Sequence, residues 1–156
     1  MGTEIERKFL VSGDFRSSAT SQHRIVQGYL TTNADCTVRV RLMDDKAFLT
    51  IKGSSSEDGL ERAEWEYPVP VADAEAMLAL PGIRSLAKVR FKVPVGKHVW
   101  EVDVFEGANA GLIMAEVELG SRDEGFERPE WIGREVTGDA RYYNSQLLTK
   151  PYRSWE

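Results

Sequence analysis

Residues 3–11 read TEIERKFLV. In an extended chain successive side chains point to opposite faces, so Glu4, Glu6 and Lys8 share one face of this segment and Ile5, Arg7 and Phe9 the other. The period is two, and it recurs along the chain. Residues 36–43 (CTVRVRLM) set Thr37, Arg39 and Arg41 against Val38, Val40 and Leu42, and residues 46–53 set Thr50 and Lys52 against Leu49 and Ile51. Residues 61–69 set Arg62, Glu64 and Glu66 against Ala63, Trp65 and Tyr67. Residues 84–95 and 97–106 read as a hairpin over Gly96, with Lys88 and Arg90 on one arm and Glu101 and Asp103 on the other. Residues 112–120 carry Glu116 and Glu118 opposite Ala115, Val117 and Leu119.

With a less patterned segment at 23–31, this alternation predicts about eight strands. The breaks between them carry turn chemistry: Asp44-Asp45, a loop of flexible composition at 53–59 (GSSSEDG), and Pro68 with Pro70. Residues 71–80 (VADAEAMLAL) form the first convincing helix, with Ala74, Met77 and Leu78 on one face. Beyond Pro129 two short helical pieces are predicted, PEWIG and DARYYNSQLL, broken by Gly133 and Gly138. Strands in series with helices at the periphery predict a mainly β (α+β) protein built on one antiparallel sheet large enough to close.

The 156 residues suit one domain, predicted here over 1–156. With 42% apolar and 29% charged residues, the chain is neither a disordered tail nor a membrane span. Twenty Lys and Arg against twenty-five Asp and Glu leave a net charge of -5. That balance excludes a polybasic surface for nucleic acid, so an anion site must be local. Cys36 is the only cysteine, which rules out an internal disulfide and a multi-cysteine zinc site, and it is expected to be buried or half-buried. His23 and His98, the only histidines, are expected at the surface. Charged Glu4, Glu6, Arg7 and Lys8 stand where a signal peptide would be apolar, so a cytoplasmic location is expected, with no membrane partner.

In an ordinary barrel the charged phase faces water, but here the charges sort by sign. Glu4 and Glu6, Glu64 and Glu66, Glu101 and Asp103, and Glu116 and Glu118 are acidic pairs at i, i+2, whereas Arg39 with Arg41 and Lys88 with Arg90 are basic ones. Such pairs lie about 7 Å apart on one face. Carboxylates converging to about 5 Å repel by roughly 3 kcal/mol per pair at an effective dielectric near 20. A cation would relieve them, and oxygen donors without histidine or thiolate suit Mg²⁺ or Mn²⁺. The basic set, with Lys52, offers forks and point charges to an anion rich in oxygens, such as a phosphate chain. Carboxylates, a divalent metal and basic clamps make up the equipment of phosphoryl hydrolysis.

The run Glu4-x-Glu6-x-Lys8 resembles the ExExK motif of the CYTH superfamily, the triphosphate tunnel metalloenzymes. The resemblance continues in order through Arg39-x-Arg41, Lys52, Arg62-x-Glu64-x-Glu66, Lys88-x-Arg90, Glu101-x-Asp103 and Glu116-x-Glu118 to the stretch Gly-x-Glu-Val-Thr at 133–137. It implies a closed eight-stranded antiparallel β-barrel whose charged phase lines an open tunnel and whose apolar phase faces outward beneath helices, loops or the other subunit of a homodimer. By the same resemblance, Lys8, Arg39, Arg41, Lys52, Lys88 and Arg90 bind the triphosphate. Glu4, Glu6, Asp103, Glu116 and Glu118 hold the metal, and Glu4, Glu6, Lys8 and Asp103 are catalytic. Arg62, Glu64, Glu66 and Glu101 belong to the tunnel wall, and Lys92 shares their phase.

The implied activity is divalent-metal-dependent hydrolysis of inorganic triphosphate to pyrophosphate and phosphate. Thiamine triphosphatase, adenylyl cyclase and nucleoside triphosphatase are alternatives on the same tunnel. A polyphosphate-binding module is the non-enzyme alternative, and so many carboxylates argue against it. The chain's last residues, around Lys150–Arg153, are expected to fray.

Overall fold

The structure, a computed structural model, describes residues 2–33 and 35–155. Every alternating segment is a strand: β1 (Gly2–Val11), β2 (Ser21–Asn33), β3 (Cys36–Met43), β4 (Lys46–Ser55), β5 (Glu61–Pro68), β6 (Ser85–Val95), β7 (His98–Phe105) and β8 (Ile113–Glu118). They pair antiparallel in the order β5-β4-β3-β2-β6-β7-β8-β1, and a β5–β1 pairing closes the barrel.

The register brings the charges onto one face. Lys8 lies opposite Glu116 and Glu6 opposite Glu118. Arg90 lies opposite Asp103, Glu101 opposite Glu116 and Lys52 opposite Glu64. The other phase is apolar and buried: Phe9, Trp100, Val102, Ala115 and Val117 have no exposed surface. They pack with Phe15, Leu119 and Trp131 from the segments that cross the outside of the barrel. Trp100 meets Phe9 at 5.6 Å and Trp131 at 5.5 Å between ring centroids, the tilted geometry aromatic pairs prefer. Helix α1 (Val71–Leu78) covers Val40 and Ala47 with Ala74, Met77 and Leu78. The barrel is thus apolar outside and charged inside.

Five expectations change. PEWIG is no helix; Ile132–Glu135 form a ninth strand, β9, against the far half of β1. β5 pairs with β1 only from Gly2 to Ile5, and β9 satisfies the backbone groups left along the same edge. The stretch 53–59 is also ordered: Gly53–Ser55 extend β4, and Ser56 accepts and donates backbone bonds across the turn to Gly59 and Glu61. Gly59 (φ +75°) meets Gly138 so closely that a Cβ on it would lie 2.3 Å from the Gly138 Cα. Cys36 is exposed, because it opens β3 at the tip of a hairpin.

The C-terminal segment does not fray. It forms a 3-10 turn (Ala140–Tyr142), the short helix α2 (Asn144–Leu147) and a second 3-10 turn (Tyr152–Ser154). Val136, Tyr142 and Leu147 pack on Leu86, Phe105, Leu112 and Met114, with Leu10, Tyr152 and Trp155 around them. Leu10, Leu86 and Met114 continue the inward phase of Lys8, Lys88 and Glu116, so this apolar cluster closes one end of the barrel. The predicted open tunnel is a blind one. Its other end meets solvent where Glu66 and Glu118 are exposed.

Candidate active site

The cavity of the barrel measures about 220 Å³, below the roughly 300–1,000 Å³ of sites for drug-sized ligands. Its wall carries Glu4, Glu6, Glu64, Glu66, Glu101, Glu116 and Glu118 together with Lys8, Arg39, Arg41, Lys52, Arg62, Lys88 and Arg90. Carboxylates and cations are matched in number, so the charge of an anion entering this wall is offset in part only when a cation enters with it.

β3, β6 and β7 build the basic side. Arg90 grips both oxygens of Asp103 with bonds of 2.8 and 3.0 Å, and Lys88 Nζ lies 2.8 Å from Oδ2, which it shares with Arg90. Burial opposes ionisation of Asp103, yet Arg90 and Lys88 win and hold it far below the usual carboxylate range. Burial likewise pushes Lys88 down to about 7, with Arg90 and Arg41 adding to it and Asp103 opposing. Arg41 is held below its ordinary value by burial and by the neighbouring charges of Arg39 and Arg90. Arg39 donates to Thr50 at 3.2 Å, while its buried Nε has no partner among the described residues. A buried donor without an acceptor costs about 1–3 kcal/mol. These are crowded cations short of an anion.

β1 and β8 build the acidic side. Burial, then Glu116 and Glu4, push Glu6 up to about 8 against the opposing pull of Lys8 and Lys52. Glu116 is half-buried, and Lys8 and Arg90 outweigh desolvation and draw it down. Glu118 is raised by burial, Glu4 and Glu101. Lys52 bonds Glu4 at 3.0 Å and lies 3.9 Å from Glu64, tying the strands at the mouth. Lys8 lies 3.7 Å from Glu6 and 4.8 Å above the Tyr143 ring, and its backbone N–H donates to Thr137 Oγ1. A carboxyl that cannot ionise beside its neighbours is a group short of a cation.

Among the described residues, no three side chains stand close enough to enclose a metal by themselves. That fits a hard cation bound by one or two carboxylates, its own waters and the oxygens of a substrate.

Of the residues the sequence singles out, every one but Asp103 and Lys92 lines the cavity. Asp103, 2% exposed, sits behind Arg90 and Lys88 with both oxygens engaged. It braces the two cations and has no free oxygen for a metal. Periodicity missed Tyr29, Tyr143, Asn144 and Ser145 of the lining, and Gln27 bonded to Arg41 beside it. The β2 pattern could have yielded Gln27, which pairs with Arg41 across the strands; nothing local marks the C-terminal three. His23 pairs with Asp44 and His98 with Glu124, both away from the cavity.

Residues 2–150 match the CYTH domain. The chain belongs to the CYTH family. An inorganic triphosphatase of Acetivibrio thermocellus is 45% identical over 100% of this chain and 99% of its own. An inorganic triphosphatase of Nitrosomonas europaea is 40% identical over 93% of this chain and 96% of its own. A crystal structure described as an inorganic triphosphatase superposes with a TM-score of 0.65 at 35% identity, covering 92% of this chain and 96% of that one. The CYTH family's closed barrel is the barrel seen here. No described helix is long and apolar enough to cross a membrane.

Proposed function

We propose that this chain hydrolyses inorganic triphosphate to pyrophosphate and phosphate with a divalent cation, Mg²⁺ or Mn²⁺, in the tunnel. The observation that carries the reading is the division of the wall. The buried Arg39 Nε has no acceptor among the described residues and Arg41 is crowded by like charges, which calls for an anion. Across the cavity burial, Glu116 and Glu4 push Glu6 well above the usual carboxylate range, which calls for a cation. The triphosphatase names of two relatives at 40% and 45% identity support the substrate.

Glu4, Glu6, Glu116 and Glu118 would hold the cation, in part through its waters, and their all-oxygen set suits a hard ion. Such a cation supplies charge neutralisation and an activated water. Arg39, Arg41, Lys88 and Arg90 bind the phosphoryl oxygens, and Asp103 keeps Lys88 and Arg90 aimed. Lys52 bonds Glu4, Lys8 faces Glu6 at 3.7 Å, and both reach the same cavity. In the reaction a water oxygen adds to the terminal phosphorus and the bond to the bridging oxygen breaks. Pyrophosphate leaves with the bonding pair, and the fixed cations stabilise charge on the leaving oxygen where solvent would have to reorganise. The three apolar cores are all built on this barrel, and the whole chain acts as one domain.

The small, charged cavity favours a bare polyphosphate over thiamine or nucleoside triphosphates, which need an apolar platform. Phosphate release from tripolyphosphate, thiamine triphosphate, ATP and pyrophosphate, each with Mg²⁺, Mn²⁺ or EDTA, tests this. Tripolyphosphate should lead and EDTA should abolish turnover. Cyclic AMP as the main product, or inertness toward every substrate with both metals, would overturn the reading.

A further inference from the structure

One hydrogen-bond chain crosses from the clamp to the segment that closes the barrel. Arg41 Nε donates to Gln27 Oε1 at 2.9 Å. Gln27 Nε2 donates to Asn144 Oδ1 at 2.9 Å, and Lys88 Nζ donates to the same oxygen at 2.7 Å. The amide orientations follow from chemistry. Arginine and lysine can only donate, so Gln27 must turn its oxygen to Arg41 and its nitrogen to Asn144. Asn144 then must turn its oxygen to both Gln27 and Lys88. Gln27 and Lys88 are 0% and 1% exposed, so neither can swing away to water and free Asn144 to flip. Both lone pairs of Oδ1 are taken, and among the described residues no acceptor takes the Nδ2 hydrogens. Asn144 nonetheless lines the cavity at its closed end.

We propose that Asn144 is a substrate-contacting residue at the blind end of the tunnel. Its locked amide donates from Nδ2 to an oxygen of the innermost phosphoryl group and so sets the length of chain the tunnel accepts. The inference rests on the triphosphatase reading and deepens it. From Lys8 to Glu4 the wall runs four residues, about 13 Å along a strand and about 10 Å along the axis of a barrel with the usual tilt. That depth is comparable to an extended tripolyphosphate. A chain with one more phosphoryl group stops against Asn144 before its outer end can reach the carboxylates.

Asn144→Asp separates this role from a structural one. Aspartate keeps the acceptor that holds Lys88 and Gln27 but replaces the Nδ2 donor with a negative oxygen. We expect the KM for tripolyphosphate to rise about ten- to hundredfold, the range for a hydrogen bond to a charged group, with the melting temperature retained. Asn144→Ala shortens the stop and should raise the rate on tetrapolyphosphate relative to tripolyphosphate. If Asn144→Asp does not fold, the alanine variant carries the test with the same two readouts, KM and chain-length preference. Unchanged KM and unchanged preference in a folded variant overturn the proposal. Wild-type protein inert on tripolyphosphate would instead overturn the triphosphatase reading itself.

Discussion

Glu6→Gln should make the metal-free protein more stable above neutral pH, against the usual effect of altering a buried charged residue. Glu6 lies on the inward face of β1 between Glu4 and Lys8 and opposite Glu118. Burial, Glu116 and Glu4 lift it from 4.5 to about 8. The folded state therefore binds a proton that the unfolded chain has released, so stability falls as pH rises between these values. The slope is about 1.4 kcal/mol per pH unit, and the shift sets a ceiling of about 5 kcal/mol on the loss. Glu116 does not cancel it, because Lys8 and Arg90 keep that carboxylate ionised throughout the window. Glutamine imitates the protonated form at every pH. Urea denaturation in EDTA from pH 5 to 9 should show wild type and Glu6→Gln alike at pH 5, with the variant ahead by a growing margin toward pH 8. The same variant should lose tripolyphosphate hydrolysis. A glutamine variant that parallels wild type across the range, or unfolds at every pH, would place Glu6 outside the acidic cluster and refute the reasoning.

The neighbouring phase should behave in the opposite sense: Val117, fully buried between outer segments and barrel, should cost about 1–3 kcal/mol as Val117→Ala, read by the same denaturation and independent of pH. Asp103→Asn leaves Arg90 and Lys88 buried without their counter-charge, and a broken buried pair costs about 3–5 kcal/mol. A fall in melting temperature accompanied by loss of turnover checks it, and a melting temperature equal to wild type would deny Asp103 its bracing role.

The clamp and the carboxylates act on one another through geometry that neither set carries alone. Glu116 is drawn down by Lys8 and Arg90 while Glu6, its near neighbour, is pushed up. Two carboxyls of the same type are thereby driven in opposite directions by the charges around each.

The sequence alone determined the strands and the sorting of charge by face, because a period of two is a property of the extended backbone and needs no partner to be read. It also determined that the site is rich in carboxylates and cations, since runs such as Glu4-x-Glu6-x-Lys8 and Lys88-x-Arg90 keep their spacing wherever the strand lies. Only the tertiary structure decided which charges meet. Asp103 shares the phase of Glu101 yet ends behind Arg90 and Lys88, because register sets it opposite Arg90 and two cations nearby are better partners than an open cavity. Likewise β9 exists because β5 leaves part of an edge of β1 unpaired, a vacancy no local pattern in PEWIG records. Asn144 reaches Lys88 across 56 residues of sequence. Its place at the blind end follows from Tyr142 and Leu147 burying themselves on Leu86 and Met114. Apolar burial has no direction in sequence, so what the chain's last turns would close could be known only once the barrel was there to be closed.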